Sequence, residues 1–145
     1  MKHMISFVYC DKITKEFNPA NGAMNRNISS QLNDLRPINI PGNFTFSIAC
    51  SISHVDADQN NHIAFCFISP EGKELLPRIE ADIPRGALVA PTGETANLNM
   101  DVEYRNLILM SEGLYKTQVI FNDEILGEYP IEVKKAVINY DNINK

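Results

Sequence analysis

Phe44-Thr45-Phe46-Ser47-Ile48-Ala49-Cys50-Ser51-Ile52, residues 44–52, is the stretch whose reading decides the fold. Phe44, Phe46, Ile48, Cys50 and Ile52 fall on one face, and Thr45, Ser47, Ala49 and Ser51 on the other. Successive side chains of an extended chain point to opposite sides, so strict alternation predicts a strand with one face on a core and one in water. The same period continues downstream. Ile63, Phe65 and Phe67 share a face and run into Ser69-Pro70-Glu71-Gly72, a Pro-x-Gly turn before Leu75, Leu76 and Ile79. Pro77 has no amide proton for a ladder, which predicts an edge strand or a bulge over Leu75 to Ile83.

Leu98, Met100, Val102 and Tyr104 alternate with Asn99, Asp101, Glu103 and Arg105, then the phase slips at Asn106 before Leu107 and Leu109. One extra residue there, a bulge or short turn, restores register. Tyr115, Thr117, Val119 and Phe121 lead through Asn122-Asp123-Glu124 into Gly127, Tyr129, Ile131 and Val133, the clearest hairpin of the chain. Upstream, Ile5 to Cys10 reads as a short strand, and Thr14 to Arg26, with Asn18-Pro19 and Asn21-Gly22, as a loop. Ile28 to Leu35 reads as a strand or as two turns of helix, the strand preferred. Residues 84–95 carry Pro84, Gly86, Pro91 and Gly93 and read as a loop. About seven to nine short strands separated by turn signals predict an all-β, two-sheet immunoglobulin-like sandwich over residues 1–133, with a polar tail over 134–145.

The carboxy-terminal hairpin carries a pattern found in the last two strands of immunoglobulin-like sandwiches: Glu112-Gly113-Leu114-Tyr115, then Val119, then Gly127 to Val133. With Cys10-Asp11 ending the first strand and Pro41 entering the Phe44 strand, the chain from Met4 to Val133 resembles a family of uncharacterised bacterial proteins, domain of unknown function 6941. The resemblance implies the sandwich and brings no activity, cofactor or catalytic residue with it. It also implies that Tyr115 is a corner tyrosine, whose hydroxyl bonds back to a nearby backbone group.

Composition narrows function mainly by exclusion. The 145 residues include 13 Lys and Arg against 18 Asp and Glu, a net charge of −5, which disfavours nucleic acid and anionic membrane surfaces as partners. The amino terminus reaches Asp11-Lys12 before a signal peptide could form, and Cys10, Cys50 and Cys66 are an odd, widely spaced set. A cytoplasmic protein with reduced thiols is the expectation. Cys50 lies on the apolar face of its strand and Cys66 on the side opposite Phe65 and Phe67, while Asp11 disfavours a thiolate at Cys10.

His54-Val55-Asp56-Ala57-Asp58-Gln59-Asn60-Asn61-His62 opens like a calcium loop, with oxygens at Asp56, Asp58 and Asn60. The match fails where a Gly is needed, at Asn61, and where a bidentate Glu is needed, at Phe67. His54, Asp56, Asp58 and His62 remain weak metal candidates, His54 and His62 meeting across the hairpin, against the commoner reading of a polar connection built from turn-tolerant residues. Asp101 and Glu103 share a strand face about 7 Å apart, the pattern of any solvated strand. No catalytic motif is present, so no enzyme activity and no cofactor are expected.

Two functions follow. The preferred one is a non-enzymatic interaction or scaffold domain with a protein partner or a second copy. Its contact strand would be Tyr129, Ile131 and Val133, blunted only by Pro130 and short of charge apart from Glu132, continued through Lys134–Val137. The alternative is a small-ligand or divalent-cation module built on the Asp56–His62 loop.

Overall fold

The computed structural model describes residues 2–90 and 94–137. Nine strands are present among them: β1 (His3–Asn18), β2 (Ala23–Gln31), β3 (Asp34–Leu35), β4 (Gly42–Val55), β5 (Asn61–Ile68), β6 (Glu74–Ile83), β7 (Ala96–Leu109), β8 (Gly113–Phe121) and β9 (Glu124–Val133). They form a four-stranded sheet in the order β2-β1-β4-β7 and a five-stranded sheet in the order β3-β9-β8-β5-β6. The fold is an all-β sandwich of immunoglobulin-like type. Part of the 84–95 loop and the tail beyond Val137 lie outside the described residues.

Alternation does what the sequence implies. Phe46, Ile48, Cys50 and Ile52 of β4 meet Phe65 and Phe67 of β5, Tyr104 of β7 and Tyr115, Val119 and Phe121 of β8 in one core. An aromatic cluster holds its centre: Phe67 lies 5.4 Å from Phe46, 5.8 Å from Tyr104 and 5.4 Å from Tyr115 between ring centroids. The phase slip in β7 is a bulge. Asn106 takes φ 53°, and its amide donates to Thr45 Oγ1 at 2.9 Å, which satisfies the group that the bulge removes from the ladder. At the β8–β9 turn, Asn122 and Asp123 both take positive φ, the two-residue geometry that matches strand twist.

Tyr115 is a corner residue in the physical sense. Its ring is buried and its hydroxyl donates to the Ser111 carbonyl at 2.8 Å. Tyr115→Phe is therefore expected to lose about 1 kcal/mol or more of stability, because the Ser111 carbonyl loses its donor. A denaturation midpoint equal to that of the parent would contradict the corner role.

Three expectations need correction. Thr14 to Arg26 is a hairpin, not a loop: β1 runs on to Asn18 and pairs with β2 from Cys10↔Gln31 to Asn18↔Ala23. The Ile28–Leu35 strand begins earlier, at Ala23, and ends at Gln31. The hairpin closes on Asn18, whose carbonyl accepts from Gly22 at 2.9 Å and whose side chain accepts from Ala20 at 3.0 Å. Beyond Cys10 this hairpin is an arm that leaves β4 and crosses the outside of its own sheet. Ile13 lines a small cavity with Ser47, Asp101 and Val102, Arg26 ion-pairs with Asp101 and donates to the Met100 carbonyl at 3.2 Å, and Lys15 stands 3.8 Å from Asp101. The water-facing side of β4 is consequently not all in water. Ser47 and Ala49 are buried, and their small side chains leave room for the arm.

The third correction concerns the terminal strand. Ile131 and Val133 are buried core residues, and the edge they were expected to offer is taken. β3 pairs in parallel with it (Asp34↔Glu132, Leu35↔Val133), and the Lys134 and Ala136 amides go on to the Leu35 and Pro37 carbonyls at 3.0 and 2.8 Å. Their scarcity of charge reflects core burial, not an open edge. Tyr129 is half-buried, its ring stacked on Phe7 at 4.0 Å.

Candidate functional site

With β3 closing the Glu132–Val133 end of β9, the opposite side of the sandwich is left open. There β6 and β7, each the last strand of its sheet, stand beside one another. Between them lies a groove of about 580 Å³ lined by Leu75, Leu76, Pro77 and Ile79 from one edge and Leu107 and Ile108 from the other. Tyr104 forms part of its wall and is fixed from behind: its ring stacks on Phe46 at 5.2 Å and its hydroxyl donates to the Phe65 carbonyl at 3.1 Å. Leu76, Ile108 and Met110 are large apolar side chains left exposed at this groove. Its rim is charged but internally neutralised, by Arg78 on Glu74 and Arg105 on Glu103, each at 2.7 Å.

Local sequence explains why the side is open. Pro77 cannot donate to a further strand, and the β5–β6 register shifts between Phe65 and Phe67, so β6 bends where it faces the groove. The Asn106 bulge bends β7 at the same place. The expectation of an edge strand over Leu75 to Ile83 thus matches β6, the outermost strand of its sheet.

The polar connection at one end of the sandwich is knitted together by its own oxygens. Asp56 Oδ1 accepts from the Asp58 amide at 2.9 Å, Asn60 Oδ1 from the Arg85 amide at 2.8 Å, and Asn61 Oδ1 from Asn122 Nδ2 at 2.9 Å. His54 does not meet His62. Its ring lies 5.2 Å from that of His3 and its Nδ1 is 3.0 Å from Ser53 Oγ. His62 instead places Nδ1 2.7 Å from Asp82 and Nε2 3.2 Å from Glu80. The two carboxylates approach opposite sides of one ring, so they do not converge on a common point. Among the described residues no group of three or more His, Cys, Asp or Glu side chains is placed to hold a metal ion.

Asp82, and then Glu80, raise the His62 pKa above its ordinary value by hydrogen-bonding the charged ring. A raised folded-state value means that the favourable interaction is complete below the unfolded value of about 6.5 and fades as pH climbs through the folded one. In an NMR titration the His62 ring should turn over above the midpoint of an unfolded histidine, and Asp82→Asn should move it down. Equal midpoints in parent and variant would contradict the clamp.

All three cysteines are free and buried. Burial pushes the Cys50 thiol up to about 12 and the Cys66 thiol up to about 11, the latter helped by Glu74, and it raises Cys10 as well. A thiol that stays protonated is a poor nucleophile. The native protein should therefore react slowly with a thiol reagent, and the denatured protein, kept without reductant, should titrate all three. A single equivalent after denaturation would reveal a disulfide and contradict the structure. Asp101 and Glu103 likewise answer to neighbours, Asp101 to Arg26 and Glu103 to Arg105.

The groove and the arm were not found as sites from sequence. The arm has a signal, since Ile13, Lys15 and Phe17 alternate on one side of Asn18-Pro19 and Met24, Arg26 and Ile28 on the other side of Asn21-Gly22.

No curated protein matches the chain. Among solved structures it is similar to an immunoglobulin-like protein from Pseudomonas aeruginosa, with 13% identity, 92% of this chain and 97% of that chain covered, and a TM-score of 0.45. It is also similar to part of an alkylpurine DNA glycosylase from Pseudomonas fluorescens, solved bound to DNA containing an abasic site analog. That match has 11% identity and a TM-score of 0.46; it covers 90% of this chain and 30% of that protein. The model of one family, described as a family of unknown function, matches residues 5–134, nearly the whole sandwich, and the chain belongs to that family, DUF6941.

Proposed function

We propose that the protein is a non-enzymatic interaction domain of the bacterial cytoplasm that engages a protein partner along the open β6–β7 side. The observation that carries the reading is the groove of about 580 Å³ between two terminal strands, with Leu76, Ile108 and Met110 exposed along it. An open sheet edge is a template for a further chain, and soluble proteins either blunt it or use it. Here both responses coexist. Arg78, Glu80 and Asp82 and the proline guard β6, while the strip facing the groove stays apolar. Apolar surface rimmed by charge is the ordinary anatomy of a contact site.

A photo-crosslinking residue placed at Ile108 in the native host tests the reading, with the same residue at Ile125 on β9, across the sandwich, as control. Both positions are exposed, so the fold should tolerate either change. A discrete adduct from position 108 and none from 125 is the expected result. Adducts from neither, or equally from both, would overturn it.

A further inference from the structure

The arm supplies a second unpartnered surface. Phe17 and Met24 are directly opposite one another in the β1–β2 register, share a face with Ile13 and Ile28, and are 62% and 60% exposed. Ile13 lines a small cavity together with Asp101 and Val102 of β7, the outermost strand of its sheet, and Phe17 lies four residues further along the arm. The base of the arm and the groove are thus both built on β7.

We propose that the partner at this side is a second copy of the chain, the arm of each copy laying its Phe17–Met24 tip into the β6–β7 groove of the other. This rests on the reading of the groove as the docking surface and adds the occupant. Area favours a second copy over a lone peptide. Phe17, Met24, Ile28, Leu76, Ile108 and Met110 are each more than two-fifths exposed. At roughly 100 Å² apiece they amount to half of what a specific interface needs, and a two-fold axis doubles them to about 1,200 Å². Reciprocity follows from symmetry, since a two-fold axis that brings one arm to one groove brings the other pair together as well.

The arm is also anchored for the purpose: the Arg26 and Lys15 contacts to Asp101 hold its base on β7 and leave the tip free.

Sedimentation of the intact chain at tens of micromolar is compared with that of an arm variant, Phe17→Ser with Met24→Ser, and a groove variant, Met110→Glu. All three side chains are exposed, and melting curves confirm that each variant is folded. The intact chain should sediment as a dimer. Each variant should raise the dissociation constant by about tenfold or more, the effect of losing a central apolar anchor. An equimolar mixture of the two variants should recover part of the association, because it retains one intact arm-to-groove contact. A strictly monomeric parent, or a mixture that recovers nothing, overturns the proposal. A dimer lost in the groove variant and unchanged in the arm variant overturns the arm assignment while leaving the groove as the docking surface. A dimer unchanged in both variants overturns both.

Discussion

Phe67→Ala is expected to destabilise the protein by about 3–5 kcal/mol, the cost of emptying a fully enclosed aromatic site. Phe67 has no exposed surface and touches both sheets, with Phe46 and Tyr104 from one and Tyr115 from its own. Those rings are themselves tied down. Tyr104 bonds the Phe65 carbonyl and Tyr115 the Ser111 carbonyl, so the walls cannot collapse into the cavity without giving up hydrogen bonds. With total stabilities of about 5–15 kcal/mol for domains in general, the variant should be close to unfolding at physiological temperature. Denaturant titration gives the number. A loss below about 1 kcal/mol would mean that the cluster is loosely packed, contrary to the structure.

Tyr9→Phe is expected to cost about 2–3 kcal/mol, the second largest effect. The Tyr9 hydroxyl leaves the four-stranded sheet and donates to the Tyr129 carbonyl of the other sheet at 2.6 Å. Its one proton being spent there, the Thr117 hydroxyl donates to the Tyr9 oxygen at 2.7 Å. Thr117 is completely buried, so deleting the tyrosine oxygen orphans a hydroxyl and removes a donor from a carbonyl at once. An orphaned buried polar group costs about 1–3 kcal/mol, whereas removing both partners of a pair can be nearly neutral. Adding Thr117→Val to Tyr9→Phe should therefore recover part of the loss. If the double variant were less stable than the single one by the full cost of Thr117→Val in the parent, the coupling across the sheets would be absent.

These two residues also show what the sequence could and could not convey. Phe67 was readable, because period two with Ile63 and Phe65 assigns it to a buried face before any partner is known. Tyr115 was readable through the resemblance of its hairpin, and the Asn106 slip through a broken alternation. The sheet-bridging role of Tyr9 was not, because Thr117 and Tyr129 lie more than a hundred residues away and only tertiary structure brings them together. The arm was misread for a local reason: with only Ile13 and Phe17 apolar among Asp11 to Asn18, its alternation was too thin to outweigh the Asn-Pro and Asn-Gly turn signals. β9 was misread because a lack of charge has two causes. Ile131 and Val133 are apolar through facing the core, with Glu132 between them facing out, and the two-residue strand at the end of their edge, Asp34–Leu35, is too short to announce itself. The groove was hidden altogether, since its walls come from two sheets.

The most direct test of the open side as the contact surface is amide hydrogen exchange in the intact chain, followed from low to high micromolar concentration. Residues that become an interface lose access to solvent and to local opening, and their exchange slows. The account predicts slowing in β6 from Leu75 to Ile79, in β7 from Arg105 to Ile108 and in the arm near Phe17 and Met24, with β9 from Ile125 to Gly127 unchanged. Uniform rates at every concentration, or slowing confined to β9, would contradict it.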